Sequence, residues 1–237
     1  MKPHRYNLVH VLLATLVLLA AVSKDFWHNF LHGGFSSPPA PRLVLVMLGF
    51  QAALFGSLLL VLWVSALFIK KPASDGVQAG GGAWRAVRLA AVAFVPIALG
   101  AFALEWLSMA VLEHVFHLQP AGQDLVKWLQ PGTYPIGVRL TLMVFVLFEA
   151  PLLEEPLFRG ILFRGLAKTC PLGVAMAISG LVFAIIHVNA ATLVPLWFLG
   201  VAFAWLYWRT GSILAPMFAH FLFNATNLAL ILAGVVE

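Results

Sequence analysis

Charged residues and cysteines are both scarce in this 237-residue chain. Asp, Glu, Lys and Arg make up 10% of it, whereas soluble domains carry roughly a quarter. Cys170 is the one cysteine, so an internal disulfide and a thiolate metal cluster are both excluded. No polar region is long enough to form a sizeable soluble domain. The scarcity of charge therefore excludes an ordinary soluble protein.

What fills the chain is apolar sequence. Hydrophobic residues make up 62% of it and the mean hydropathy is +0.97. At roughly 20 residues per span, the length predicts an all-α, polytopic bundle of about seven transmembrane helices in a single integral membrane domain, residues 1–237. No small-residue cleavage site follows the first apolar segment, so we expect that segment to be retained as a span. The predicted spans lie at residues 8–22, 43–69, within 85–117, 140–168, 172–188, 193–208 and 213–236.

The basic residues indicate an orientation rather than a nucleic-acid partner. The net charge is +5, and the Lys and Arg residues lie mainly at the ends of the predicted spans. An N-terminus on the cytoplasmic side places most of them in the cytoplasm, as membrane proteins generally do. We therefore predict a protein of the cell (inner) membrane with a cytoplasmic N-terminus, the lipid bilayer as a partner and no nucleic acid.

Two adjacent acids and an arginine interrupt the apolar sequence. Ionisable groups at membrane depth are costly, and they usually pair or serve a function. Glu155 and Arg159 are four residues apart, so they face each other on a helix. Glu154 points about 100° away and stays free. Pro151 and Pro156 remove backbone donors beside the acids, which predicts a disturbed helix that lines a polar cavity.

Three further polar residues are predicted to reach the same depth. We expect His187 to lie at the end of the helix that follows the acidic one, and Asn224 to lie four residues after His220 on the last helix. At about 1.5 Å per residue, Glu154 and His187 are each roughly 22–24 Å from the turn between their helices, and Asn224 is roughly 20 Å from the next turn. Single histidines and asparagines in membrane helices often serve only to hydrogen-bond neighbouring helices. The convergence of Glu154, His187, His220 and Asn224 at one depth instead favours a functional site.

Two other features have simpler interpretations. Glu113 and His117 are four residues apart, a spacing compatible with a metal pair, but we interpret them as the amphipathic end of the third predicted span. Residues 125–129 form a short amphipathic segment, which we expect to be a helix at the membrane surface.

The polar residues form three motifs: Glu154-Glu155-x-x-x-Arg159, Phe183-x-x-x-His187 and His220-x-x-x-Asn224. In this order and at these spacings they resemble the motifs of the CAAX protease and bacteriocin-processing (CPBP, or Abi) family of intramembrane proteases. The resemblance covers about residues 140–230. It divides the domain into N-terminal spans, residues 1–138, and a CPBP-like catalytic core, residues 139–235.

The resemblance implies an intramembrane endopeptidase that hydrolyses a peptide bond of a membrane-associated peptide or protein, and the residues suit that reaction. Amide hydrolysis needs an activated water and donors for the oxyanion. We expect Glu154 to be the general base. His187 would position the water or pass its proton to the leaving amine, and His220 and Asn224 would stabilise the oxyanion.

We expect Glu155 and Arg159 to support the site as a structural ion pair. No cofactor is expected, because an asparagine suits an oxyanion hole better than a zinc site and the chain has no HExxH motif. The alternative cofactor is zinc, held by Glu154, His187 and His220 with an open fourth position.

Other functional classes and several substrates also stay open. A mid-membrane polar cluster is compatible with a transporter, and the same fold could serve as an inactive scaffold or immunity protein. For a protease, the candidate substrates are prenylated CAAX ends, bacteriocin leaders and C-terminal sorting tails.

Overall fold

The fold is seen in a computed structural model, in which residues 40–42, 44–46, 49, 82–118 and 124–235 are described. Every regular element in these residues is a helix. We number them α1 to α8 and π1 to π2: α1 Ala83–His114, α2 Asp124–Leu129, α3 Ile136–Val144, π1 Phe145–Glu149, α4 Ala150–Glu155, π2 Pro156–Phe163, α5 Arg164–Leu166, α6 Leu172–Ile185, α7 Ala190–Thr210 and α8 Leu214–Leu232.

The predicted all-helical membrane architecture is confirmed in outline. Within the described part of the chain, four continuous helices are long and apolar enough to cross a membrane: Ala83–His114, Ile136–Leu166, Ala190–Thr210 and Leu214–Leu232. Leu172–Ile185 is apolar but shorter. These five helices correspond to the third to seventh predicted spans. The first predicted span lies outside the described residues and the second lies almost entirely outside them, so the number seven stays a prediction.

Helix α7 lies at the centre of the bundle and packs against α6, α1 and α8. Asn189 begins it, because the Asn189 side-chain oxygen accepts hydrogen bonds from the backbone N–H groups of Ala191 and Thr192 at 2.9 and 3.2 Å. Such N-caps are typical of helix starts. Gly211 ends the helix in a left-handed conformation, with φ 64°. The short turns on either side bring α6 and α8 against α7.

Two glycines allow α6 and α7 to approach closely. A Cβ atom on Gly200 of α7 would lie 2.5 Å from the Cα of Gly180 on α6. A Cβ on Gly180 would lie 2.9 Å from the backbone oxygen of Trp197. Small residues serve this purpose at helix interfaces in membranes. The contact fixes the separation of the two helices near the motif residues.

The predicted disturbance of the acidic helix takes the form of two π-helical segments. In a π-helix each N–H bonds the carbonyl five residues earlier, and the N–H of Ala150 does so with Phe145. The same pattern would pair the N–H of residue 151 with the carbonyl of Val146, but residue 151 is a proline and has no N–H. The carbonyl of Val146 is therefore left for another partner, and the side-chain amide of Asn224 on α8 supplies it at 2.8 Å.

Candidate active site

A buried ionic network joins two of the three motifs. The Arg159 guanidinium donates from Nη1 to Glu155 Oε1 at 3.1 Å, and both side chains are 0% exposed. His220 Nδ1 lies 2.9 Å from the same oxygen. Arg159 Nη2 donates to the backbone oxygen of Gly200 at 3.3 Å. The ion pair expected from the spacing of Glu155 and Arg159 is present, and it also connects the acidic helix to α7 and α8.

Three aromatic rings surround the charge of Arg159. Its guanidinium carbon lies 4.7 Å from the ring centre of Phe183, 5.2 Å from that of Phe203 and 5.8 Å from that of Phe158. Cations are attracted to the faces of aromatic rings at such distances, most strongly away from water. A fully buried guanidinium is costly unless it is paired, so the rings and Glu155 together account for its position.

The two histidines lie on either side of Phe183. The ring centres of Phe183 and His187 are 4.9 Å apart, and those of Phe183 and His220 are 5.9 Å apart. His187 Nδ1 donates to the backbone oxygen of Phe183 at 2.7 Å, because a carbonyl can only accept. The neutral ring of His187 therefore carries its lone pair on Nε2. That nitrogen is the one able to accept a proton.

Asn224 uses one of its amide hydrogens on the backbone. Its Nδ2 donates to Val146 at 2.8 Å, and an asparagine amide has two hydrogens to donate. The bond fixes the Asn224 side chain against π1, one helical turn from His220. The second hydrogen is not used in that bond.

The two adjacent carboxylates differ in their partners. Glu155 Oε1 accepts hydrogen bonds from Arg159 and His220. Glu154 has no hydrogen bond or ion pair among the described residues. Glu154 Oε2 and Glu155 Oε2 are both buried and lack a hydrogen-bond partner within that part of the chain. Buried oxygens normally have partners. Each acid therefore has one buried oxygen without a partner, and they differ in that Glu155 is also held by Arg159 and His220 through Oε1.

The ligands of the alternative zinc site, Glu154, His187 and His220, do not form a metal-binding group among the described residues. Across the described residues, no group of three or more His, Cys, Asp and Glu side chains is placed to hold a metal ion. Helix α1 ends at His114, and His117 has a left-handed backbone with φ 54°, so Glu113 and His117 do not share a helix face. Metal dependence stays a prediction for experiment.

Several residues that shape the site were missed by sequence reasoning. Phe203 stacks on His220 with ring centres 5.3 Å apart, and the Ser179 hydroxyl donates to the backbone of Phe158 at 3.2 Å. Gly180 and Gly200 set the approach of α6 and α7. The available signal was the presence of small residues, Ser179, Gly180 and Gly200, within apolar membrane helices, since these often mark helix contacts.

The described fold is a membrane-embedded helical bundle with a buried polar site formed by the acidic helix, the end of α6 and α8. The prediction that His187 lies on a helix was wrong, because α6 ends at Ile185 and His187 lies in the turn that follows. Residues 136–226 match a family model described as Type II CAAX prenyl endopeptidase Rce1-like. The matched region contains all three motifs and confirms their resemblance to the CAAX protease family. The match covers less than half of the chain. No curated protein and no solved structure matches the chain.

Proposed function

We propose that this protein is an intramembrane endopeptidase in which Glu154 activates the water that attacks the peptide bond. The family match supports peptidase chemistry. Both acids have a buried Oε2 without a hydrogen-bond partner in the described part of the chain, so the choice of Glu154 rests on the other oxygen of Glu155. Glu155 is less suited, because its Oε1 already binds Arg159 and His220.

The proposed reaction proceeds in two steps. Glu154 removes a proton from water as the water oxygen attacks the carbonyl carbon, and an oxyanion forms. His220 and the second amide hydrogen of Asn224 stabilise that oxyanion. The carbon–nitrogen bond then breaks, and the proton held by Glu154 passes to the leaving amine, directly or through Nε2 of His187. The products are a carboxylic acid and an amine.

The first substrate to test is a prenylated peptide. The matching family is described as a CAAX prenyl endopeptidase, and CAAX denotes a C-terminal cysteine that carries a prenyl group. A lipid-linked peptide would reach a membrane-embedded site by diffusion in the bilayer. Bacteriocin leaders and C-terminal sorting tails are the alternative substrates. We propose further that the protein lies in the cell (inner) membrane with its N-terminus in the cytoplasm.

The test is cleavage of a prenylated CAAX peptide by the purified full-length protein in liposomes. Replacing Glu154 by Gln keeps its shape but removes the base, so we expect kcat to fall by about 10²–10⁴-fold without loss of folded protein. Glu105→Gln is the matched control, because Glu105 is a half-buried acid of α1 outside the motifs. It should leave kcat unchanged.

Three results would contradict the proposal. If Glu154→Gln still cleaves while Glu155→Gln is stable and inactive, Glu155 is the base. If the wild-type protein cleaves no member of the three substrate classes, the inactive scaffold, immunity protein or transporter becomes the better assignment. Cleavage that is abolished by chelators and restored by zinc would instead select the zinc-dependent version of the same protease.

A further inference from the structure

We infer that Glu155 acts as a positioning residue for His220, with Arg159 holding Glu155 in place. This role rests on the proposed protease function. A structural ion pair would only stabilise the fold. A positioning residue instead affects the reaction by orienting another side chain, which here is His220. The observation that carries it is the 2.9 Å contact between His220 Nδ1 and Glu155 Oε1, which spans 65 residues of sequence.

The contact determines which nitrogen of His220 faces the reaction. Glu155 Oε1 also accepts from Arg159, and a carboxylate beside a guanidinium is an ionised acceptor. His220 therefore carries a proton on Nδ1, and only Nε2 remains for substrate. Nε2 can therefore donate to an oxyanion only while the ring carries a hydrogen on both nitrogens, and the contact with Glu155 Oε1 directs that Nε2–H away from the Glu155 side.

The orientation of the His220 ring is fixed on its other sides as well. Its plane lies at 29° to the ring of Phe203 and at 81° to the ring of Phe183. These rings limit the tilt of the imidazole, while the bond to Glu155 limits its rotation about the side-chain axis. Loss of the carboxylate would leave His220 packed at the same place but free to turn Nε2 away.

Arg159 explains why Glu155 holds its own position. Glu155 is 0% exposed, so water does not screen its charge. Arg159 neutralises that charge, and Arg159 is in turn bound to the backbone of Gly200 on α7. These contacts form a chain from Arg159 through Glu155 to His220. They link the acidic helix, α7 and α8 and hold the imidazole of His220 in place.

The decisive experiment is a double-mutant cycle on cleavage by the full-length protein in liposomes, with the prenylated CAAX peptide as substrate. We expect Glu155→Asp to lower kcat by about 10–100-fold, as loss of orienting partners does at other sites, and to leave KM nearly unchanged. The shorter acid keeps the charge that pairs with Arg159, so the variant is expected to fold. In the His220→Ala background, Glu155→Asp should cost less than 2-fold, since the residue through which it acts is gone.

Ser179→Ala is the matched control, because Ser179 is buried on α6 and bonds the backbone of π2 without contacting His220. Its effect on kcat should be the same in the wild-type and His220→Ala backgrounds. Equal effects of Glu155→Asp in both backgrounds would overturn the inference while leaving the protease function intact. Absence of cleavage by the wild-type protein would instead refute the proposed function and the inference together.

Discussion

Replacing Glu155 by Gln should destabilise the protein more than replacing its partner Arg159 by Met. In Glu155→Gln, the fully buried guanidinium of Arg159 keeps the Gly200 carbonyl and three aromatic rings but loses its carboxylate at 3.1 Å. In Arg159→Met, Glu155 keeps His220 at 2.9 Å. An uncompensated buried charge costs about 3–5 kcal/mol. We therefore expect that loss for Glu155→Gln and a smaller one for Arg159→Met.

The double variant separates charge burial from packing. Glu155→Gln combined with Arg159→Met leaves neither of the two paired charges in the protein interior. Its loss of stability should be smaller than the sum of the two single losses by about 0.5–3 kcal/mol. Glu154→Gln is the comparison, because the charge of Glu154 also acts on Arg159 but less strongly than that of Glu155, and its loss of stability should be smaller than that of Glu155→Gln.

Reversible unfolding in mixed detergent micelles measures these free energies, and the thermal midpoint gives a second readout. At about 2–4 °C per kcal/mol for a chain of this size, the Glu155→Gln midpoint should fall by about 6–20 °C. If Glu155→Gln stays within about 1 kcal/mol of the wild type, or if the losses in the double variant simply add, the reasoning about the buried pair is wrong.

Three further predictions concern metal, packing and topology. If the protease is metal-free, the purified protein should contain no stoichiometric zinc and cleavage should survive strong chelators; loss with chelation and recovery with zinc would show the opposite. Gly200→Ala should lower the midpoint measurably, because its Cβ would lie 2.5 Å from Gly180, whereas Gly160→Ala, with nothing within 4 Å, should not; equal midpoints would contradict the packing argument. With Cys170 replaced by Ser, a cysteine at Ala190 should react with an impermeant thiol reagent from outside the cell, and labelling only from the cytoplasm would reverse the predicted topology.

The sequence alone determined the features that depend on local spacing. Long apolar segments predict membrane helices because the bilayer requires backbone hydrogen bonds to be satisfied within the chain, and five of the predicted segments are helices here. A separation of four residues predicts the Glu155–Arg159 pair because it corresponds to one helical turn. Prolines beside the acids predicted the irregular helix, since each lacks a backbone donor. The order of the motifs indicated a resemblance to the CAAX protease family, and the family match over residues 136–226 confirms that resemblance.

Only the tertiary structure decided which residues from different helices meet. Spacing shows which side chains share a face of one helix, but not how that helix is rotated or how closely its neighbours approach. Three contacts depend on that rotation and distance: the bond from His220 to Glu155, the packing of Phe183 and Phe203 around Arg159, and the bond from the Asn224 amide to π1. The approach of α6 and α7 is set by a contact between two glycines that are 20 residues apart in the chain. They lie on different helices, so helical periodicity does not predict that they meet.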